Sequence, residues 1–83
     1  MTCRLLVDVE TIEALDALPK KTRVRLMDHF RRIRSSPENF SDYHERDGTG
    51  RRVEICAFAG HAIHFWIDHA DQHIKILALK PAD

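Results

Sequence analysis

The sequence predicts an α+β fold, a strand and a two-helix hairpin followed by a β-meander. The hairpin packs on one face of a twisted, mostly antiparallel sheet. Three observations predict it. The runs RRVEICAF, HAIHFWID and HIKILAL alternate apolar and polar residues with the two-residue period of strands. Asp47-Gly48, Ala59-Gly60 and His69 to Gln72 punctuate those runs as turns. Upstream, apolar residues recur at helical spacing on either side of Pro19.

Taken in order, Cys3 to Val9 reads as a first strand, with Leu5 and Val7 on one face. Thr11 precedes IEALDAL, a short helix in which Ile12, Leu15 and Leu18 share a side. Pro19 ends that helix and opens the next, where its missing N–H costs nothing. The second helix is expected from about Lys20 to Arg34, with Leu26, Met27, Phe30 and Ile33 as its buried stripe. Ser35, Ser36 and Pro37 stop it. Asp42 to Asp47 is polar enough for a short edge strand. In the meander, Val53, Ile55 and Ala57 are expected to face the core, with Ile63, Phe65 and Ile67, then Ile74, Ile76 and Ala78. The opposite face would then carry Arg52, Glu54, His64, Trp66, His73 and Lys75, along with Leu77 and Leu79.

Eighty-three residues, 43% hydrophobic and 31% charged, fit one soluble domain spanning 1–83 and exclude a disordered tail. No apolar run reaches the roughly 20 residues a membrane span needs, and MTCRLLVDVE is too acidic for a signal sequence. A cytoplasmic protein without a membrane partner is expected. Cys3 and Cys56 are too few for a zinc knuckle or a disulfide framework. His61 and His64, three apart in a strand, face opposite sides, so no metal and no cofactor is expected. No phosphate-binding loop or dinucleotide fingerprint is present, which argues against a small-molecule substrate.

The net charge is zero, but Lys20 to Arg34 holds seven cations against Asp28. Arg31, Arg32 and Arg34 are candidate phosphate contacts; the same residues also suit a solvated helix face. On the non-core sheet face, Arg52 and Lys75 would stabilise charge on a phosphoryl oxygen, and Glu54 or His64 would move a proton. Trp66 would stack a base, with His73 beside it. A cross-strand Arg–Glu pair and an amphipathic Trp on a half-wet sheet would give the same residue types.

The element order, LPKKTR between the helices, the Ser-Pro break, GRRVEI and GHAIHFWIDHADQHIKIL together resemble the RelE/ParE toxins of bacterial type II toxin–antitoxin systems. The resemblance runs from Leu5 to about Lys80. It implies a concave open sheet face and a protein antitoxin as partner. In the RelE branch it implies a ribosome-dependent mRNA interferase, an RNA-binding endoribonuclease that inhibits translation by transfer to the ribose 2′-OH with basic side chains in place of a metal. The ParE branch instead implies a non-catalytic gyrase inhibitor. Arg52 matches a catalytic-face cation of the family, and Glu54 falls where RelE has a second basic residue. The family's arginine after an aromatic corresponds to Ala62 here. After Leu79, Lys80 is the one cation where relatives carry Arg, His or Tyr.

Overall fold

The hairpin and sheet assemble as the alternation requires. The structure, a computed structural model, describes residues 3–82. Strand β1 (Arg4–Val7) leads into helix α1 (Val9–Asp16) and helix α2 (Lys20–Ser35). A 3₁₀ turn (Pro37–Phe40) follows, then β2 (Tyr43–Arg46), β3 (Arg52–Phe58), β4 (His61–Asp68) and β5 (His73–Pro81). The sheet order is β1-β5-β4-β3-β2, antiparallel throughout the meander and parallel only where β1 joins β5. Both helices cover one face, as expected for this α+β class.

Local chemistry sets the helix limits. Asp8 caps α1 by accepting from the Val9 amide at 3.0 Å, and its carbonyl accepts from Thr11 and Ile12. The helix therefore starts before Thr11, which turns inward, fully buried, with Leu15 one turn on. Ile12, expected to share that face, is 45% exposed, because i and i+4 track the helix stripe better than i and i+3 do here. Pro19 caps α2, and Arg32 and Arg34 lie in its last turn, where cations suit the helix dipole. The buried stripe of α2 is Leu26, His29, Phe30 and Ile33; Met27, expected inside, is 40% exposed.

The core joins Leu15, Leu26, Phe30 and Ile33 of the helices to Cys56, Ile63, Phe65, Ile74 and Ile76 of the sheet. Cys56 marks the main correction. Partners in a ladder share a face, and Glu54 pairs with Phe65 and Cys56 with Ile63. Glu54, Cys56 and Phe58 therefore face the helices, while Val53, Ile55 and Ala57 face away. The run VEICAF alternates equally well in either phase. Its phase is fixed by α2: the His29 ring stacks on Phe58 with centroids 3.8 Å apart, and its Nε2 lies 3.3 Å from Cys56 Sγ. Burial and nearby Asp42 push that thiol up to about 11, so it sits there as a neutral, apolar group.

A second correction lies in β5. His64 pairs with Ala78 and Phe65 with Ile76, which leaves Leu77 as an extra, bulged residue. The bulge reverses the alternation beyond it. Ala78 moves to the open face and Leu79 packs against the core, the opposite of the simple period-two expectation.

Candidate functional site

The face away from the helices is built by alternation from five strands. Register puts Tyr43, Ile55, His64 and Ala78 in one row across it, with Glu45 and Val53 adjacent. Trp66 pairs with Lys75, which pairs with Leu6 of β1; His73 pairs with Arg4 and Asp68; Ala62 pairs with Lys80. This open face thus brings together His64, Trp66, His73 and Lys75, as the sequence suggests. To them it adds Tyr43, Glu45, Arg51 and Lys80, which strand alternation alone did not single out.

His64 is the proton-transfer candidate. Its side chain is largely covered, and Nδ1 stands 3.9 Å from a Glu45 carboxylate oxygen. Burial lowers its pKa below 6.5 and the Lys80 cation lowers it further, against a smaller opposing pull from Glu45. The shift favours the neutral ring, the form that accepts a proton. Arg51, just ahead of β3, lays its guanidinium over Trp66, Cζ being 4.8 Å from the ring centroid. Lys75 and Lys80 supply further positive charge on the same face.

Arg52 and Glu54 do not join this group. Their side chains alternate to the helix side of β3, and they line an open cleft of about 620 Å³ at the sheet margin that Ser41, Tyr43, His44, Trp66 and His69 also border. Arg52 Nε donates to Glu54 Oε2 at 2.7 Å, and the Ser41 hydroxyl donates to Oε1 at 2.7 Å. Burial alone would raise the Glu54 pKa, but the Ser41 and Arg52 hydrogen bonds outweigh it and hold it below 4.5. A carboxylate so fully engaged and so placed is no partner for His64. Register thus sets the Arg52 and Glu54 side chains on the other phase from His64 and Lys75, while Trp66 borders the Arg52–Glu54 cleft as well.

Arg31, Arg32 and Arg34 are likewise separated from Trp66 and His73 by the thickness of the sheet, since α2 packs on the other side. Arg31 and Arg23 instead border an apolar groove of about 300 Å³ between β1, α1 and α2. Ile12, Leu15, Met27 and Phe30 line that groove with Leu5 and Val7. Among the described residues, no ion pair engages the α2 cations.

No family model matches the chain, and no curated protein matches it either. Solved structures do. The chain is similar to a chain of the archaeal RelE–RelB complex from Pyrococcus horikoshii OT3. The two are 27% identical with a TM-score of 0.80, over 98% of this chain and 96% of the other. It is also similar to a chain of the RelBE2 toxin–antitoxin complex from Mycobacterium tuberculosis, with 12% identity and a TM-score of 0.83 over 98% and 99% of the two chains. A third likeness is to a chain of the intact E. coli RelBE toxin–antitoxin complex, with 13% identity and a TM-score of 0.75 over 98% of each.

The fold is therefore the small α+β fold of these RelE and RelBE structures, with a helical hairpin on one face of the sheet and the other face open. Within that class, the resemblance to the RelE/ParE family is borne out. Among the described residues, no helix is long and apolar enough to cross a membrane.

Proposed function

We propose that this protein is the toxin of a toxin–antitoxin pair, and that it cleaves mRNA in the ribosome with its open sheet face. The observation that carries the reading is a largely covered imidazole on the face that also holds Arg51, Trp66, Lys75 and Lys80, with a Glu45 carboxylate oxygen 3.9 Å from its Nδ1. In the proposed step the His64 ring takes the proton of a ribose 2′-OH as that oxygen bonds to the adjacent phosphorus. The bond from phosphorus to the 5′-oxygen breaks, and the departing oxygen takes a proton from Lys80 or water. Lys75 and Arg51 offset the charge that builds on the phosphoryl oxygens. Cytoplasmic action follows from the ribosomal target.

The antitoxin is proposed to cover the groove on the helical side. Its apolar lining and the unpaired cations of α2 fit an acidic, amphipathic segment. This gives Arg23 and Arg31, which border the groove, a protein partner in place of the RNA suggested by the charge of the helix alone.

Primer-extension mapping of mRNA ends after induced expression tests the cleavage reading. Wild type should give codon-positioned cuts, and His64→Gln should reduce them by about 10²-fold or more. Cuts of undiminished strength in that variant would refute the assigned chemistry. A second reading, a non-catalytic toxin acting by protein binding as a gyrase inhibitor does, is favoured by β3. That strand gives the open face no polar side chain: Val53, Ile55 and Ala57 point to it, and Val53 and Ile55 are buried there. Growth arrest by wild type without any cuts would select it.

A further inference from the structure

We propose that Arg51 and Trp66 form a ready-made platform for a nucleobase of single-stranded RNA, and that Asp47 is the residue that positions it. The inference rests on the RNA-cleaving reading and adds to it where a base is held.

The platform starts from the turn Asp47-Gly48-Thr49-Gly50 between β2 and β3. Asp47 Oδ1 accepts from the Thr49 amide at 2.9 Å, the Thr49 hydroxyl at 2.7 Å and the Arg51 amide at 3.0 Å. Its other oxygen accepts from Arg51 Nε at 3.0 Å. Gly50 closes the turn at φ +83, a conformation that a side chain would strain. One carboxylate thus fixes both the backbone and the side chain of Arg51. The guanidinium has little freedom left to lose when a ligand arrives, which is how preorganisation favours binding.

What the turn holds in place is a planar cation over the Trp66 ring. Among the described residues, only Nε of that guanidinium is engaged, so its terminal nitrogens retain their donors. The Arg51 side chain remains 35% exposed. An arginine over a tryptophan is common as a surface ornament. This one differs in three ways. It lies on the face that carries His64, its amide and its Nε are both held by one carboxylate that also ties down Thr49, and Lys75 pairs with Trp66 on the neighbouring strand. Bases stack on guanidinium planes and on aromatic rings alike, and a cation one strand away suits the phosphate attached to such a base. A purine, with the larger π surface, should stack better than a pyrimidine.

Trp66 is the one tryptophan of the sequence, so its fluorescence reports on this site alone. The full-length protein is titrated with five-residue oligoadenylate, oligouridylate and an abasic ribose-phosphate oligomer of the same length. Saturable quenching is expected from oligoadenylate, less from oligouridylate and none from the abasic oligomer. Arg51→Lys keeps the charge but loses the plane, and should weaken oligoadenylate binding about tenfold. Asp47→Asn should reduce the preference for adenine over uracil, and Asp47→Glu should restore part of it. Lys75→Ala should lower the slope of log affinity against log salt by about 0.7 while leaving the quench at saturation unchanged. Circular dichroism of each variant establishes that it is folded.

Equal affinity of wild type and Arg51→Lys, equal quenching by the abasic oligomer, or no quenching by any oligomer would each overturn the platform. Primer extension separates this from the parent reading. Cuts whose strength and base preference are untouched in Arg51→Lys refute the platform and leave cleavage standing. Base-dependent quenching by a wild-type protein that makes no cuts leaves the platform and removes the cleavage.

Discussion

Replacing Glu54 by Gln tests whether this residue holds the fold or performs chemistry. Its carboxylate is nearly buried and accepts two short hydrogen bonds, from the Ser41 hydroxyl and from Arg52 Nε, each 2.7 Å. A buried hydrogen bond to a charged group contributes about 1.5–3 kcal/mol. The Arg52 side chain is 55% exposed, so solvent screens its share to about 1 kcal/mol or less. Glutamine retains one oxygen for Ser41 but turns an amide donor toward the guanidinium donor. A net loss of about 2 kcal/mol is expected, out of about 4–12 kcal/mol for a chain of this size. That corresponds to a fall in Tm of about 8–16 °C.

The pH dependence of that difference has a definite sign. The folded pKa of Glu54 lies below its ordinary 4.5, so its contribution is complete above about 4.5 and is lost as pH falls through the folded value. Thermal melts followed by circular dichroism from pH 7 into the acid range should show the gap between wild type and variant closing on the acid side. Below the melting range, the variant should cut mRNA as wild type does. A Tm within about 2 °C of wild type at pH 7 would refute the structural role, being less than a 1 kcal/mol change produces. Loss of cutting by a fully folded variant would show that the carboxylate acts in catalysis after all.

Phe65→Ala removes a completely buried ring from the middle of the sheet and should cost about 3–5 kcal/mol, read as a lower urea midpoint; an unchanged midpoint would contradict the core assignment. Burial, with Arg32 for His29 and Lys80 for His64, lowers both histidine pKa values below 6.5, so the unfolded chain binds more protons as pH drops. The urea midpoint should therefore hold above about pH 6.5 and decline as pH falls through the folded values; a midpoint that rises with acid would oppose this. Met27→Asp changes a residue 40% exposed in the helical groove, so stability should shift by about 1 kcal/mol or less. Neutralisation by the co-expressed antitoxin should weaken by about 2 kcal/mol or more in binding; full rescue of growth would remove the groove as the docking surface.

Element order, turns and the hairpin were legible in the sequence because each has a local physical cause: Pro19 between the helices, Asp47-Gly48 and Ala59-Gly60 between strands, period-two alternation in the meander. Side-chain direction was legible only where one phase of a strand is plainly the more apolar. In β4 it is, and Ile63, Phe65 and Ile67 point as expected. In β3 both phases carry apolar residues, and the acidic Glu54 made the wrong phase look polar. Its charge is tolerated on the helix side because Ser41 and Arg52 meet it at the margin of the sheet, a nonlocal fact. The adjacent pair Arg51-Arg52 then divides between the faces, so an error of one position exchanged a residue of the open face for one behind it.

The bulge at Leu77 had no local mark; it arises from how β5 pairs with β4. Arg51 carried a clearer signal, since Asp47-Gly48-Thr49-Gly50 is a turn whose aspartate can reach the residues just beyond it. The basic helix was visible as charge, but charge alone did not tell which side of the sheet it would occupy. Packing of Leu26, His29, Phe30 and Ile33 decided that.

The parallel pairing of β1 with β5 also sets the order of events during synthesis. Arg4 meets His73, 69 positions later, so the first strand made waits for the last strand of the meander. Closing a loop of that length costs about 4 kcal/mol in chain entropy before any contact repays it. Until β5 is available, Phe65 and Ile63 have a strand on one side only, and Trp66 has no Lys75 across from it. A growing chain halted within β4 thus has neither a closed sheet nor the cationic half of its open face. The open face proposed to act on mRNA is thus assembled only after β5, by connectivity alone.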